Sequence, residues 1–117
     1  FTQSGRTARL ISKYRPKAAI YAFTMFPGVR NQMNLFWGVH PLSCESSPDA
    51  NAMVLNSERE LLRREVVQAG DVVGVVAGTR MASGSTNFMR LHVVADEDGE
   101  HEAKRRRKRR PAERRRK

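Results

Sequence analysis

Little in this chain can form a covalent or metal-held framework. Of 117 residues one is cysteine, Cys44. That excludes an internal disulfide and suits a reducing, cytoplasmic compartment. No stretch approaches the roughly 18 consecutive apolar residues of a membrane span, and no segment of the sequence reads as a secretory leader. His40, His92, His101 and Cys44 are scattered, with no pair at metal-ligand spacing, so no metal site is expected. No two carboxylates are placed as an acid–base couple. Neither a Gly-Lys-Ser/Thr phosphate loop nor a G-x-G-x-x-G turn is present. No residue is assigned a catalytic role, and Cys44 reads as a small apolar residue rather than a nucleophile.

What the chain does have is charge, and it is local. The formal net charge is +10. Residues 104–117 hold 11 of the 22 Lys and Arg with Glu113 as their one acid, which accounts for all of it. Residues 1–103 balance at 11 basic against 11 acidic residues. Lys104 to Arg110 is an unbroken basic run. Such a run binds nucleic acid by counterion release, without sequence selectivity, although it has no interleaved aromatics for base stacking. It suits a nuclear-targeting patch or a lipid-headgroup contact as well. Its bland alternatives are a solvated appendage or out-of-frame translation of GC-rich DNA. A nucleic-acid function therefore belongs to the tail alone. Residues 96–117 are too charged to bury a core and are expected to be disordered.

Residues 1–95 alternate between helical and strand patterns. Ala8, Ile11 and the Tyr14 ring recur at helical spacing up to Arg15-Pro16, where the proline should stop the helix. Ala19 to Thr24 reads as a buried strand. Gly28 to Phe36 forms a helix with Val29, Met33 and Phe36 on one face. Trp37 to Ser43 gives a second strand, which Pro41 places at a sheet edge; Trp37 is assigned to core packing. Ser46-Ser47-Pro48-Asp49 starts a helix from Ala50 to about Ala69, with Gly70 as its left-handed cap. Asp71 to Gly78 reads as a strand covered on both faces. A Gly/Ser/Thr-rich loop spans Thr79 to Asn87, and Phe88 to Ala95 is the last strand. The alternation predicts an α/β fold, a three-layer α/β/α domain with a mostly parallel sheet.

Two segments can carry binding chemistry. Thr2-Gln3-Ser4-Gly5-Arg6-Thr7 lies just ahead of the first helix. The N–H groups and dipole of a helix start favour an anion, and Arg6 adds a charge-assisted contact. The competing reading is that the hydroxyls cap the helix. Gly78 to Asn87 follows a strand, and ligands of open α/β sheets bind at the C-terminal strand ends. Its competing reading is an ordinary connection.

These residues resemble a known family. Ser4-Gly5-Arg6-Thr7-Ala8-Arg9, then Ser12 to Ala18 and Ala22-Phe23-Thr24, are similar to the opening of the pyruvate kinase C-terminal domain. Trp37-Gly38-Val39-His40-Pro41 resembles that family's "WGV-P" segment. Gly70-Asp71-Val72-Val73, Val76-Ala77-Gly78-Thr79 and Gly84-Ser85-Thr86-Asn87 match its last strands and loop, in family order over about residues 1–95. The resemblance implies a domain 1–95 followed by a basic tail 96–117. It implies a five-stranded mixed sheet whose first strand is largely missing, with Phe1-Thr2 as its last two residues.

The resemblance further implies the regulatory and tetramer-forming end of an enzyme transferring phosphate from phosphoenolpyruvate to ADP. The catalytic barrel, which precedes this domain in the family, is absent here, so the chain should be inactive alone. Its partners would be the rest of that chain and its tetramer mates. No cofactor belongs to this part; Mg²⁺ and K⁺, with ADP and ATP, serve the full enzyme. Thr2, Ser4, Gly5, Arg6 and Thr7 would hold the phosphate of a metabolite effector, and Arg80, Ser83, Gly84, Ser85 and Thr86 would close over it. Gln3 stands where many effector-regulated members carry lysine. Cys44 to Ala69 is shorter than in animal-type members and lacks their sugar-contacting Trp and Arg. A sugar monophosphate, a nucleotide or no effector are then the alternatives to a sugar bisphosphate. Unpaired buried backbone groups cost about 1–3 kcal/mol each, against about 5–15 kcal/mol for a whole domain. A chain without its first strand is therefore expected to lack independent stability.

Overall fold

The computed structural model describes residues 1–78 and 86–95. Along the chain lie α1 (Arg6–Lys13), β1 (Ile20–Thr24), α2 (Pro27–Met33), β2 (Val39–Ser43), α3 (Ala50–Arg63), β3 (Val72–Gly78) and β4 (Thr86–Val93). The α/β alternation is as the sequence patterns predict. β1 and β2 pair in parallel, Ile20 opposite Val39 through Thr24 opposite Ser43. β3 and β4 pair antiparallel, Val72 opposite Val93 through Gly78 opposite Thr86, with one register shift next to Gly78. Pro41 sits on β2, which among the described residues has a strand on one side only, where its missing N–H breaks no ladder.

The strand period of two sends alternate β1 side chains to opposite faces. Ala22 joins Ala8, Met33 and Val39 in one buried cluster, against which Ile20, Val29 and Phe36 pack. Phe23 joins Leu42 and Leu61 in the other, with Phe1, Tyr21, Cys44 and Val67 around it. Helices α1 and α2 thus cover one face of β1 and α3 the other, which is the three-layer arrangement expected.

Between β1 and β3 lies a half-open cavity of about 460 Å³. Phe1 and Thr2 stand at one end of it. The Thr2 N–H donates to the Phe23 carbonyl at 2.9 Å, and the Phe1 amino group donates to the Val76 carbonyl at 2.9 Å. The Phe1 ring stacks on Phe23 with centroids 5.4 Å apart.

Several local expectations change. Tyr14 is 86% exposed rather than part of the α1 core face. The inward position is taken by Ser12, whose hydroxyl donates to the Trp37 carbonyl at 2.6 Å. Trp37 is half-exposed rather than core, with the Arg15 guanidinium 5.5 Å from its ring centroid. Helix α3 stops at Arg63, six residues before Ala69. Glu65 takes φ 59°, the Val66 N–H bonds back to Leu61 and the Glu65 N–H to Leu62. That double bond pattern is a Schellman stop, built here on a glutamate. Gly70, at φ 90°, instead shapes the turn into β3, its N–H donating to the Val94 carbonyl at 2.9 Å. Strand β3 is not covered on both faces: Val72, Met89, Leu91 and Val93 are exposed on the outer side of the hairpin. Thr86 and Asn87, expected in the loop, already belong to β4.

Candidate functional site

The Thr2–Thr7 segment leaves the edge of β1 and turns directly into α1. Thr2 is anchored by its N–H on Phe23 and accepts from the Gly5 N–H through Oγ1 at 2.8 Å. The Ser4 hydroxyl accepts from the Arg6 N–H at 3.4 Å. These hydroxyls therefore hold the turn. Gly5 occupies the N-cap of α1 with no side-chain cap, so capping in the ordinary sense is not what they do. Gly5 is buried at φ 81°, and a Cβ there would stand 3.4 Å from Met33 and 3.5 Å from Val29. Only glycine meets both conditions without strain.

The result is a fixed turn presenting a helix start to solvent. The first turn of α1 contains no acidic residue. Ser4 and Arg6 are exposed, and Thr2, Gln3 and Thr7 are half-buried. A positive helix end with no acid in its first turn, beside an exposed arginine and hydroxyl, is the electrostatic setting an anion needs.

The end of β3, where the second expected segment begins, lies beside this turn. Phe1 bonds to Val76, and β3 runs only two residues further to Gly78, whose partner is Thr86. The connection of residues 79–85 thus springs from the sheet end next to Phe1-Thr2. Arg80, Ser83, Gly84 and Ser85 lie outside the described residues, and Thr86 is placed as the first residue of β4. Residues 96–117 are outside them too.

One polar pair escaped the sequence reading. Glu58, buried in α3, meets His92 of β4 through Oε2 and Nε2. Its other oxygen accepts from the Ala95 N–H at 3.4 Å. Arg90 reaches the Asn51 side-chain carbonyl at 3.0 Å and His92 Nδ1 at 3.4 Å. A guanidinium only donates, so Nδ1 accepts and Nε2 carries the proton toward Glu58. The available signal was an acid in register with Val54 and Leu61 on the apolar stripe of α3.

Burial pushes the Cys44 thiol up from its ordinary value, in keeping with an unreactive side chain. His40 stacks on Tyr21, with ring centroids 5.1 Å apart. Among the described residues no three His, Cys, Asp or Glu side chains come together. No helix among them is long and apolar enough to cross a membrane.

The chain matches the family described as pyruvate kinase, alpha/beta domain, over residues 1–92. It is 40% identical over 97 residues to the pyruvate kinase of Staphylococcus saprophyticus subsp. saprophyticus, covering 82% of this chain and 17% of that one. To that of Clostridium acetobutylicum it is 39% identical over 94 residues, 80% of this chain and 20% of the other. To that of Lactococcus lactis subsp. lactis it is 40% identical over 93 residues, 80% and 18%. The chain thus spans a fifth or less of the length of these curated relatives.

Proposed function

The chain belongs to the pyruvate kinase alpha/beta domain family, and from that premise we propose that it is a regulatory and assembly-forming domain rather than a catalytic one. In this reading it serves an enzyme that moves a phosphoryl group from phosphoenolpyruvate to ADP. The phosphate of a metabolite effector sits at Thr2, Ser4, Gly5, Arg6 and Thr7, and residues 79–86 fold over it. Arg80, Ser83, Gly84, Ser85 and Thr86 supply the cover. Mg²⁺, K⁺ and the adenine nucleotides act on polypeptide outside residues 1–95. The folded domain is residues 1–95 and residues 96–117 are its basic extension, in the cytoplasm.

The observation that carries the reading is the rigid turn at the start of α1. Its hydroxyls fix Gly5 and Arg6, no acid competes at the helix start, and the β3–β4 connection begins beside it. The exposed apolar face of Val72, Met89, Leu91 and Val93 supports the assembly role, because a solvated monomer gains nothing from such a patch. The homotetramer the family resemblance implies is the proposed assembly.

Replacing Arg6 with Ala in the enzyme that carries this domain tests the phosphate assignment. A charge-assisted hydrogen bond contributes about 1.5–3 kcal/mol. Effector affinity should therefore fall by roughly tenfold or more in a direct binding titration. Unchanged affinity contradicts the assignment. The rival reading, nucleic-acid binding, rests on the charge of residues 104–117 alone. It requires affinity that falls steeply with salt and vanishes when those residues are deleted.

A further inference from the structure

We propose that His92 is a proton-operated clasp, which ties the start of α3 to β4 when its ring is neutral and releases that tie when the ring is charged. The device lies on the α3 side of the sheet and stands whether or not residues 2–7 bind an anion.

Its parts come from two elements far apart in sequence. Strand β4 supplies Arg90 and His92, two residues apart and so on one face. That face meets α3. Arg90 Nη1 donates to Asn51 Oδ1 at 3.0 Å, and His92 Nε2 meets Glu58 Oε2. Arg90 Nη2 lies 3.4 Å from His92 Nδ1, so the guanidinium bridges the imidazole and Asn51. Asn51 stands in the first turn of α3 and Glu58 about two turns further on. β4 is thus fastened to α3 at two levels, and His92 takes part in both.

A proton acts differently on the two fastenings. In the neutral ring Nδ1 accepts from Arg90 and Nε2 donates to Glu58. The imidazolium carries a proton on each nitrogen and accepts at neither. Nε2 keeps Glu58, now through a charge-assisted bond. Nδ1 turns a donor toward a donor and sets a second positive charge against the guanidinium. Glu58 cannot move away, because its side chain is 6% exposed and its other oxygen accepts from the Ala95 N–H. Arg90 is exposed and can. Arg90 is therefore the partner that leaves, and its bond to Asn51 goes with it. Each element packed on the ring is accounted for: α3 brings Glu58, β4 brings Arg90, and β3 sets the uncharged Val73 opposite His92. The Asp49 cap bonds the Ala52 N–H and takes no part in the bridge, so α3 keeps its start while losing its tie.

The test follows proton and nitrogen chemical shifts from about pH 8 to 5, the range in which histidines ordinarily change charge, on the 117-residue chain held folded in TMAO. The expected result is that the Asn51 side-chain amide and Arg90 Nε shift with the same midpoint as the His92 ring, and that His92→Gln abolishes both shifts. Arg90→Gln is a surface change that leaves the Glu58–His92 pair in place. It should remove the Asn51 shift while the His92 ring still titrates. Asn51 and Arg90 signals that stay fixed while His92 titrates would overturn the proposal. So would an Asn51 shift that survives in either variant, or a His92 ring that takes up no proton across this range.

Discussion

At Gly5 two constraints meet. The residue adopts φ 81° and is buried with Met33 3.4 Å from where a Cβ would stand. A left-handed conformation costs a side-chain-bearing residue about 1–2 kcal/mol, and the tight contact adds to it. Gly5→Ala is expected to destabilise the chain by at least that amount. Thermal melts in an osmolyte such as TMAO, which strengthens burial, read the difference. Glu58 and His92 make the opposite kind of case. Removing one partner of a buried pair costs about 3–5 kcal/mol, whereas exchanging both for apolar groups is often neutral. Glu58→Ala should therefore nearly unfold the chain, and Glu58→Leu with His92→Leu should recover most of the loss, followed by far-ultraviolet dichroism. This pair was invisible in the sequence because its members are 34 residues apart and join a helix to a strand. Glycine at position 5 was legible, but its packing against α2 was not.

Element by element, the apolar periods placed every helix and strand described, and the errors fell at ends. Helix α3 shows why. A glycine was expected to stop it, and Gly70 was the nearest. The chain instead stops on Glu65, in a left-handed conformation that favours glycine or asparagine, with both Schellman bonds formed. Glu65→Gly keeps those bonds and removes the strain, so it should stabilise the chain by about 1 kcal/mol, measured in the same melts. The opposite result would mean that the gain is outweighed by the conformational entropy of the new glycine in the unfolded chain. Strand β3 erred for another reason. Its run of valines suggested cover on both faces, yet Val72 and its neighbours on β4 stay exposed, because composition does not reveal which layer is present.

For the molecule as a whole, the partition of charge was fully legible and decides how function is assigned. Residues 1–103 balance, so nothing in the folded part argues for a polyanion, and the basic run argues only for itself. For the proposed anion site the motif named the residues, but only the fold showed the turn beside the strand ends that the β3–β4 connection joins. The central claim is that residues 2–7 receive a phosphorylated metabolite. It is tested most directly by an amide nuclear magnetic resonance titration with a sugar phosphate at moderate salt, on the chain held folded in TMAO as dispersed amide signals show. The account predicts saturable shifts at Ser4, Gly5, Arg6 and Thr7. Shifts confined to residues 104–117 that disappear with added salt, or none at all, would contradict it.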